Sequence, residues 1–255
     1  MEQNAYVRIM PGAETAVMLI HGIVGTPNHF RDLIPLMDRV PEAWSVYNLL
    51  LDGHGKDVED FSRTSMDKWE SQVTEVFDAL SRTHRRVILV GHSMGTLLCA
   101  ELALQNPEKV GGMFLLAVPL RPWIRLGGLY RMLRLVFGFT DEDDPREMAT
   151  LKACGVKPTC KLWKYIPWIP RYLELFGLIL RVEKKLSRLS VPTVAYQSEK
   201  DELVMNKSAR ILENTGTVSV HRLSESTHFY YSPHDRQMLI ESFDRFLEDF
   251  PRNNP

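Results

Sequence analysis

The sequence is poor in cysteine. Its 255 residues include three, Cys99, Cys154 and Cys160. Three cannot form a disulfide framework, and none is spaced like the paired thiolates of a zinc ribbon. Charge of one sign is also missing. With 31 basic and 32 acidic residues the net charge is −1, which gives no global electrostatic case for nucleic acid as a partner. No uncharged apolar run approaches the ~18 residues of a membrane span. The opening segment MEQNAYVRIMPG lacks the basic and apolar regions of a secretory leader. No internal repeat or low-complexity tract is present, and the histidines and acids lack the paired or i, i+4 spacing of metal ligands. These absences lead to the expectation of a cytoplasmic protein of a reducing compartment, without metal or cofactor.

What is present points to an α/β fold. At 44% hydrophobic, the chain suits one α/β domain with an insertion. AVMLIHG (16–22) is a short continuous apolar run ending at glycine, as a buried parallel strand should be. Phe30, Leu33, Ile34, Met37 and Val40 follow at helical spacing. SVYNLLL (45–51), RVILVGHS (86–93), GGMFLLAV (111–118), TVAYQS (193–198) and VSVHRL (218–223) read as further strands. The intervening segments 66–83, 94–106 and 235–250 read as helices, the first with a stripe of Trp69, Val73, Val76, Phe77 and Leu80. Such alternation predicts a doubly wound, mainly parallel sheet with helices on both faces. Ligands of such sheets bind beyond the carboxyl ends of the strands, so the loops after 21, 52, 91, 118, 198 and 223 become the places to search.

The interval 119–190 breaks this rhythm. It is helical in pattern, with no convincing strand, and we expect an inserted cap there, with residues 1–118 and 191–255 forming the core. It holds 14 Lys/Arg against seven Asp/Glu, so the remainder of the chain is acidic by eight. Trp123, Trp163 and Trp168 also lie in it.

The chemistry gathers at GHSMG, 91–95, between a strand and a small-residue helix. A glycine-flanked serine on such a junction takes a strained conformation and projects at a helix N-terminus, where developing negative charge is favoured. Serine needs a base and something to orient that base. His228, in STHFY after the final strand, lies on the same rim as Ser93. His221 falls inside that strand. His21, His54 and His92 belong to other turns, and His29, His84 and His234 sit at helix ends, where capping or solvation suffices. QSEKDELV (197–204) offers Glu199, Asp201 and Glu202 as the orienting acid. Asp201 is favoured, because it sits on a short loop before Leu203-Val204 and a helix start at Asn206. HGIVGTP (21–27) begins where the first long strand ends. The backbone N–H groups of Ile23 and Met94 are the natural oxyanion donors, although a plain glycine-rich loop fits the same spacing.

Taken together, HGIVGTP, LDGHG (51–55), GHSMG, the D-x-x-V of SEKDELV and the S-x-H of STHF resemble the α/β-hydrolase superfamily. More narrowly they are similar to its capped bacterial carboxylesterases and monoacylglycerol lipases. The resemblance covers about 16–118 and 191–250, and does not extend to the cap. It implies Ser93 as nucleophile, His228 as general base and acid, Asp201 as its orienter, and Ile23 and Met94 as oxyanion donors. Two positions depart from the pattern. Ile23 stands where an aromatic is frequent, and Asp52 where proline is usual.

The expected reaction is acyl transfer from short- to medium-chain esters or monoacylglycerols. Residues 120–139 are strongly apolar with arginines interleaved, and 167–180 form a second apolar stretch. A lid that also packs on the core is favoured over a basic face meeting anionic lipid. Trp123, Leu129 and Val204 are candidate substrate-lining residues. Ser93 excludes a dehalogenase, which needs aspartate at the nucleophile. A peptidase or amide hydrolase could use the same triad, with the acids 141–144 holding a free amine. A non-catalytic binder would have lost a triad member.

Overall fold

The computed structural model describes residues 6–37 and 44–249. Its main sheet has seven strands in the order β1 (Tyr6–Arg8), β3 (Ser45–Asn48), β2 (Thr15–Ile20), β5 (Arg86–His92), β6 (Val110–Leu116), β8 (Thr193–Ser198) and β9 (Val218–Leu223). Every pair is parallel except β1 with β3, which is antiparallel. The middle strands are buried on both faces, which explains their unbroken apolar runs. The edge strand β1 was not anticipated. It is three residues long and mostly exposed, so it carries little periodic signal.

Each face of the sheet has its own core. On one side lie α2 (Val58–Ser62), α3 (Met66–Thr83), α4 (Met94–Gln105) and α7 (Ile169–Glu183). On the other lie α1 (Ile34–Met37) and α9 (Pro233–Asp249), packed on Val17, Leu19, Ile88, Val90 and Phe114. The α3 helix runs over the residues that the pattern predicted. Ser65 caps its start by accepting from the Lys68 N–H, and Trp69, Val73, Phe77 and Leu80 are buried, with Val76 at the margin. The helical segment expected after the first long strand is only a 3-10 turn at Pro27–Phe30 followed by the four-residue α1, and Val40 lies outside the described residues.

The interval 119–190 contains α5 (Leu126–Val136), α6 (Pro145–Ala153), β7 (Val156–Lys157) and α7. The strand β7 corrects the expectation that this stretch holds none. It pairs in parallel with β4 (Lys56–Asp57) in a small second sheet. Two residues are too few to show an alternation. The α7 helix, by contrast, is welded to the main core. It buries Leu175, Leu178, Ile179 and Val182 in the cluster shared with α3 and α4, each worth about 1.5–3 kcal/mol relative to exposure. Its opposite stripe, Ile169, Leu173, Phe176 and Leu180, faces solvent. So does Leu126, 85% exposed at the start of α5.

The arginines of this interval are largely spoken for. Arg121 pairs with Glu183, Arg131 with Glu202, Arg134 with Glu147, Arg171 with Glu174, and Arg181 with Glu70 and Glu101. The surplus charge read from composition is therefore partly cancelled by specific partners. The remaining helix, α8 (Lys207–Glu213), starts one residue beyond Asn206. No helix among the described residues is long and apolar enough to cross a membrane.

Candidate active site

Ser93 joins β5 to α4 with φ 52° and ψ −124°. A side chain in that region costs about 1–3 kcal/mol and persists only where its surroundings over-determine it. Here they do. The Ser93 N–H donates to Leu116 O at 2.9 Å, and its carbonyl accepts from Thr96 N at 2.9 Å and Thr96 Oγ1 at 2.6 Å. The flanking glycines are required by close approach. A Cβ on Gly91 would stand 2.7 Å from Thr96 Cα, and one on Gly95 would stand 1.9 Å from Ile20 O. Helix α4 can thus lie directly against β2. Met94 N–H opens that helix and has no partner among the described residues.

The loop after β2 passes over the serine. A Cβ on Gly22 would be 2.8 Å from Ser93 Cβ. The loop is fixed at its start by His21, whose Nε2 accepts from Leu51 N at 3.1 Å while Nδ1 meets Gly22 O at 2.9 Å. That pattern assigns a neutral ring with its proton on Nδ1. Burial, then the neighbouring His54, holds the His21 pKa well below its ordinary value, in agreement. Ile23 N–H has no partner among the described residues, and Val24 has a positive φ of 57°.

The loop is also clamped from the interval 119–190. Gly155 N–H donates to Val24 O at 2.7 Å, and Gly155 O accepts from Gly55 N at 2.6 Å. A Cβ on Gly155 would stand 1.9 Å from Gly25 O. Gly155 thus ties HGIVG to the GHG turn just before β4 and β7 pair. Sequence inspection missed it, because its partners are distant in the chain. Gly155→Ala is expected to push the loop away from Ser93 and lower kcat by about 10²-fold, the order of one lost oxyanion donor. Steady-state kinetics beside a thermal melt checks this, and a folded variant with wild-type kcat would refute the clamp.

Asp201 and His228 meet where the sequence order required. Asp201 lies just after β8 and is 1% exposed; His228 follows β9 and is 2% exposed. Asp201 Oδ2 accepts from His228 Nδ1 at 2.8 Å. Its other oxygen, Oδ1, accepts the N–H groups of Leu203 at 2.7 Å and Val204 at 2.9 Å, so the carboxylate is fixed from both ends. Burial alone would lower the His228 pKa. The charge and hydrogen bond of Asp201, with the charge of Glu202, outweigh it and hold the pKa above the ordinary imidazole value. Ser93 Oγ makes no hydrogen bond among the described residues, and the elbow meets the histidine loop through its neighbour. His92 Nε2 lies 3.1 Å from His228 O, with the rings 5.0 Å apart.

A cluster of imidazoles surrounds this centre. The His29 ring is 4.3 Å from His92 and 6.3 Å from His21, and His21 is 4.8 Å from His54. Both His29 ring nitrogens are buried. This corrects the expectation of a capping or solvated role for His29. Burial lowers His92 to about 3 and His54 to about 4, and pushes His29 well down too. Of these clustered rings, His228 is the one raised. The contrast comes from its two carboxylates, which no spacing rule reveals. His84 takes the capping alternative, its backbone N–H donating to Leu80 O at 2.8 Å. It is buried, and its Nε2 lies 2.8 Å from Ser45 Oγ.

The candidate substrate residues are spread more widely. Val204 is buried in the acid loop, with a bridge to Pro122. Trp123 is 56% exposed, its N–H on Leu203 O at 2.8 Å, and Leu129 is 43% exposed on α5. Two of the acids 141–144 serve locally. Asp144 caps α6 through the Arg146 N–H, and Asp141 Oδ1 accepts from Asp143 N. Cys99 is buried in the core, and burial pushes its thiol pKa far up.

A parallel sheet with a strained serine on its central turn and a buried acid–imidazole pair beyond neighbouring strands defines a hydrolase class. The family model described as "Alpha/beta hydrolase family" matches residues 17–238, and the chain belongs to that family. The match runs through 119–190, where no motif had been legible. The chain is 29% identical to the thermostable monoacylglycerol lipase of Bacillus sp. (strain H-257), over 93% of this chain and 90% of that one. Among solved structures, the Paleococcus ferrophilus monoacylglycerol lipase aligns with a TM-score of 0.70 and 16% identity, over 97% of this chain and 99% of the other. A structure from the description of LipS and LipT, two metagenome-derived lipolytic enzymes, aligns with a TM-score of 0.74 and 20% identity, over 99% of this chain and 98% of the other. The fold is therefore the α/β-hydrolase fold, and the relatives include lipases and esterases.

Proposed function

We propose that this protein is a serine ester hydrolase, acting on short- to medium-chain acyl esters or monoacylglycerols through an acyl-enzyme on Ser93. The observation that carries the proposal is the buried Asp201–His228 pair beside a serine held at positive φ. Ser93 Oγ attacks the ester carbonyl while His228 Nε2 takes its proton. The imidazolium keeps its Nδ1–H on Asp201 Oδ2. The oxyanion accepts the free N–H groups of Ile23 and Met94. His228 then protonates the departing alkoxide, and water repeats the sequence in reverse to release the acid. The contact between Ser93 Oγ and His228 Nε2 closes when substrate is seated, as catalytic hydrogen bonds often do.

In this proposal residues 119–190 form a cap over the core of 1–118 and 191–255. Its exposed apolar residues, with Trp123, Leu129 and Val204, face the acyl chain. The lipase relative spanning nearly the whole chain supports an ester over an amide. A series of p-nitrophenyl esters from acetate to decanoate, with a monoacylglycerol and an amino-acid p-nitroanilide, tests this. The expected result is kcat/KM rising from acetate towards a medium chain and negligible anilide cleavage. Cleavage of acetate alone, or preference for the anilide, would contradict it. kcat/KM should rise with pH through a His228 pKa above the ordinary imidazole value.

A further inference from the structure

We infer that Glu202 is a positioning residue that couples helix α5 to the histidine loop through Arg131. The inference rests on the acyl-transfer proposal for Ser93, Asp201 and His228. Glu202 is 5% exposed and uses both carboxylate oxygens. Oε1 receives Arg131 Nη2 at 2.8 Å, and Oε2 accepts the backbone N–H of His228 at 3.1 Å. One side chain therefore bridges α5 and the catalytic histidine. The same helix is seated on Glu202 by its backbone. Arg125 N–H donates to Glu202 O at 2.9 Å, and a Cβ on Gly128 would stand 2.8 Å from Glu202 Cγ. Gly128 thus lets the first turn of α5 lie against the acid.

The charges explain why this bridge acts on the chemistry. A buried carboxylate needs a partner, and removal of one partner leaves an uncompensated charge. The charged and titratable groups around His228 are Asp201 and Glu202 from the acid loop, His92 from the elbow and His29 from the turn before α1. Tyr231 lies near Asp201, and Arg131 reaches the histidine only through Glu202. Both carboxylates favour the imidazolium that forms when Ser93 attacks, and Arg131 offsets part of the Glu202 charge. The exposed side of α5 carries Leu126, Tyr130 and Leu133. Any displacement of that helix moves Arg131 and so changes what Glu202 offers the histidine loop. Asp201, one residue away, drew the sequence argument because a triad needs one acid; Glu202 is the second, and its role requires seeing α5.

The test compares wild type, Glu202→Gln and Arg131→Met, with melting curves to confirm folding and pH profiles of kcat/KM on one p-nitrophenyl ester. Glu202→Gln keeps an acceptor for His228 N–H but removes the charge. It should lower kcat about fivefold with KM little changed, the order expected when a charge-assisted bond becomes neutral. The acidic limb should move to lower pH. Arg131→Met leaves the Glu202 charge without its cation, so its limb should move to higher pH. A structural role alone would not split the two variants in opposite directions. An unmoved limb in either folded variant, or the same direction in both, overturns the inference. If Glu202→Gln does not fold, Arg131→Met decides by the same criterion. Fluorophosphonate labelling of wild type at Ser93 separates the cases, since its absence strikes the acyl-transfer proposal and not this coupling.

Discussion

Ser93→Ala is expected to lower kcat by about 10⁴–10⁶-fold while leaving the fold intact, the range found when a nucleophile that acts with its base is removed. Ser93 is 9% exposed and its side chain makes no hydrogen bond among the described residues, so its removal opens no sizeable cavity and strands no partner. The bonds that hold the elbow use the backbone of Ser93 and survive the change. Alanine at positive φ is strained about as much as serine, so the melting temperature should change little. Kinetics on the preferred ester and a thermal melt give both numbers. Near-normal kcat in a folded variant would remove Ser93 from the chemistry.

Asp201→Asn is expected to cost about 10⁴-fold in kcat, the order seen when a triad histidine is held in the wrong tautomer. The local bonds give the reason. Oδ1 accepts from two backbone donors, Leu203 and Val204 N–H. The asparagine carbonyl must take that place, since an NH2 group there would face donors. Its NH2 then points at His228 Nδ1, which must become an acceptor. The ring proton moves to Nε2, where it cannot receive the proton of Ser93. Loss of the carboxylate also removes the largest support for the raised His228 pKa, so any residual activity should show its acidic limb at lower pH. The variant should be assayed across pH at saturating ester. Activity within tenfold of wild type would show that Asp201 does not set the tautomer.

Much of this arrangement was legible because it follows from local rules. Strands buried on both faces must be apolar throughout, and β2, β5 and β6 were visible for that reason. The close contacts of Gly91 and Gly95 follow from the strand-to-helix turn. The positions of Asp201 and His228 follow from strand order and loop ends. The missing parts depend on contacts between segments distant in sequence. Gly155 matters because of Gly25, Val24 and Gly55. The ring nitrogens of His29 are buried because the rings of His92 and Phe229 lie against it. Glu202 acquires a second role only once α5 lies over it. The strand β7 is too short for any periodicity and exists because β4 offers it a ladder.

If Ser93 forms the covalent intermediate, it is also the residue that a fluorophosphonate modifies. Peptide mapping by mass spectrometry after treatment with a fluorophosphonate tests it most directly. The expected result is one adduct per chain, on the peptide carrying GHSMG and located at Ser93, with loss of esterase activity in step with labelling. Inactivation with the adduct on another residue, or full activity with Ser93 modified, would contradict it.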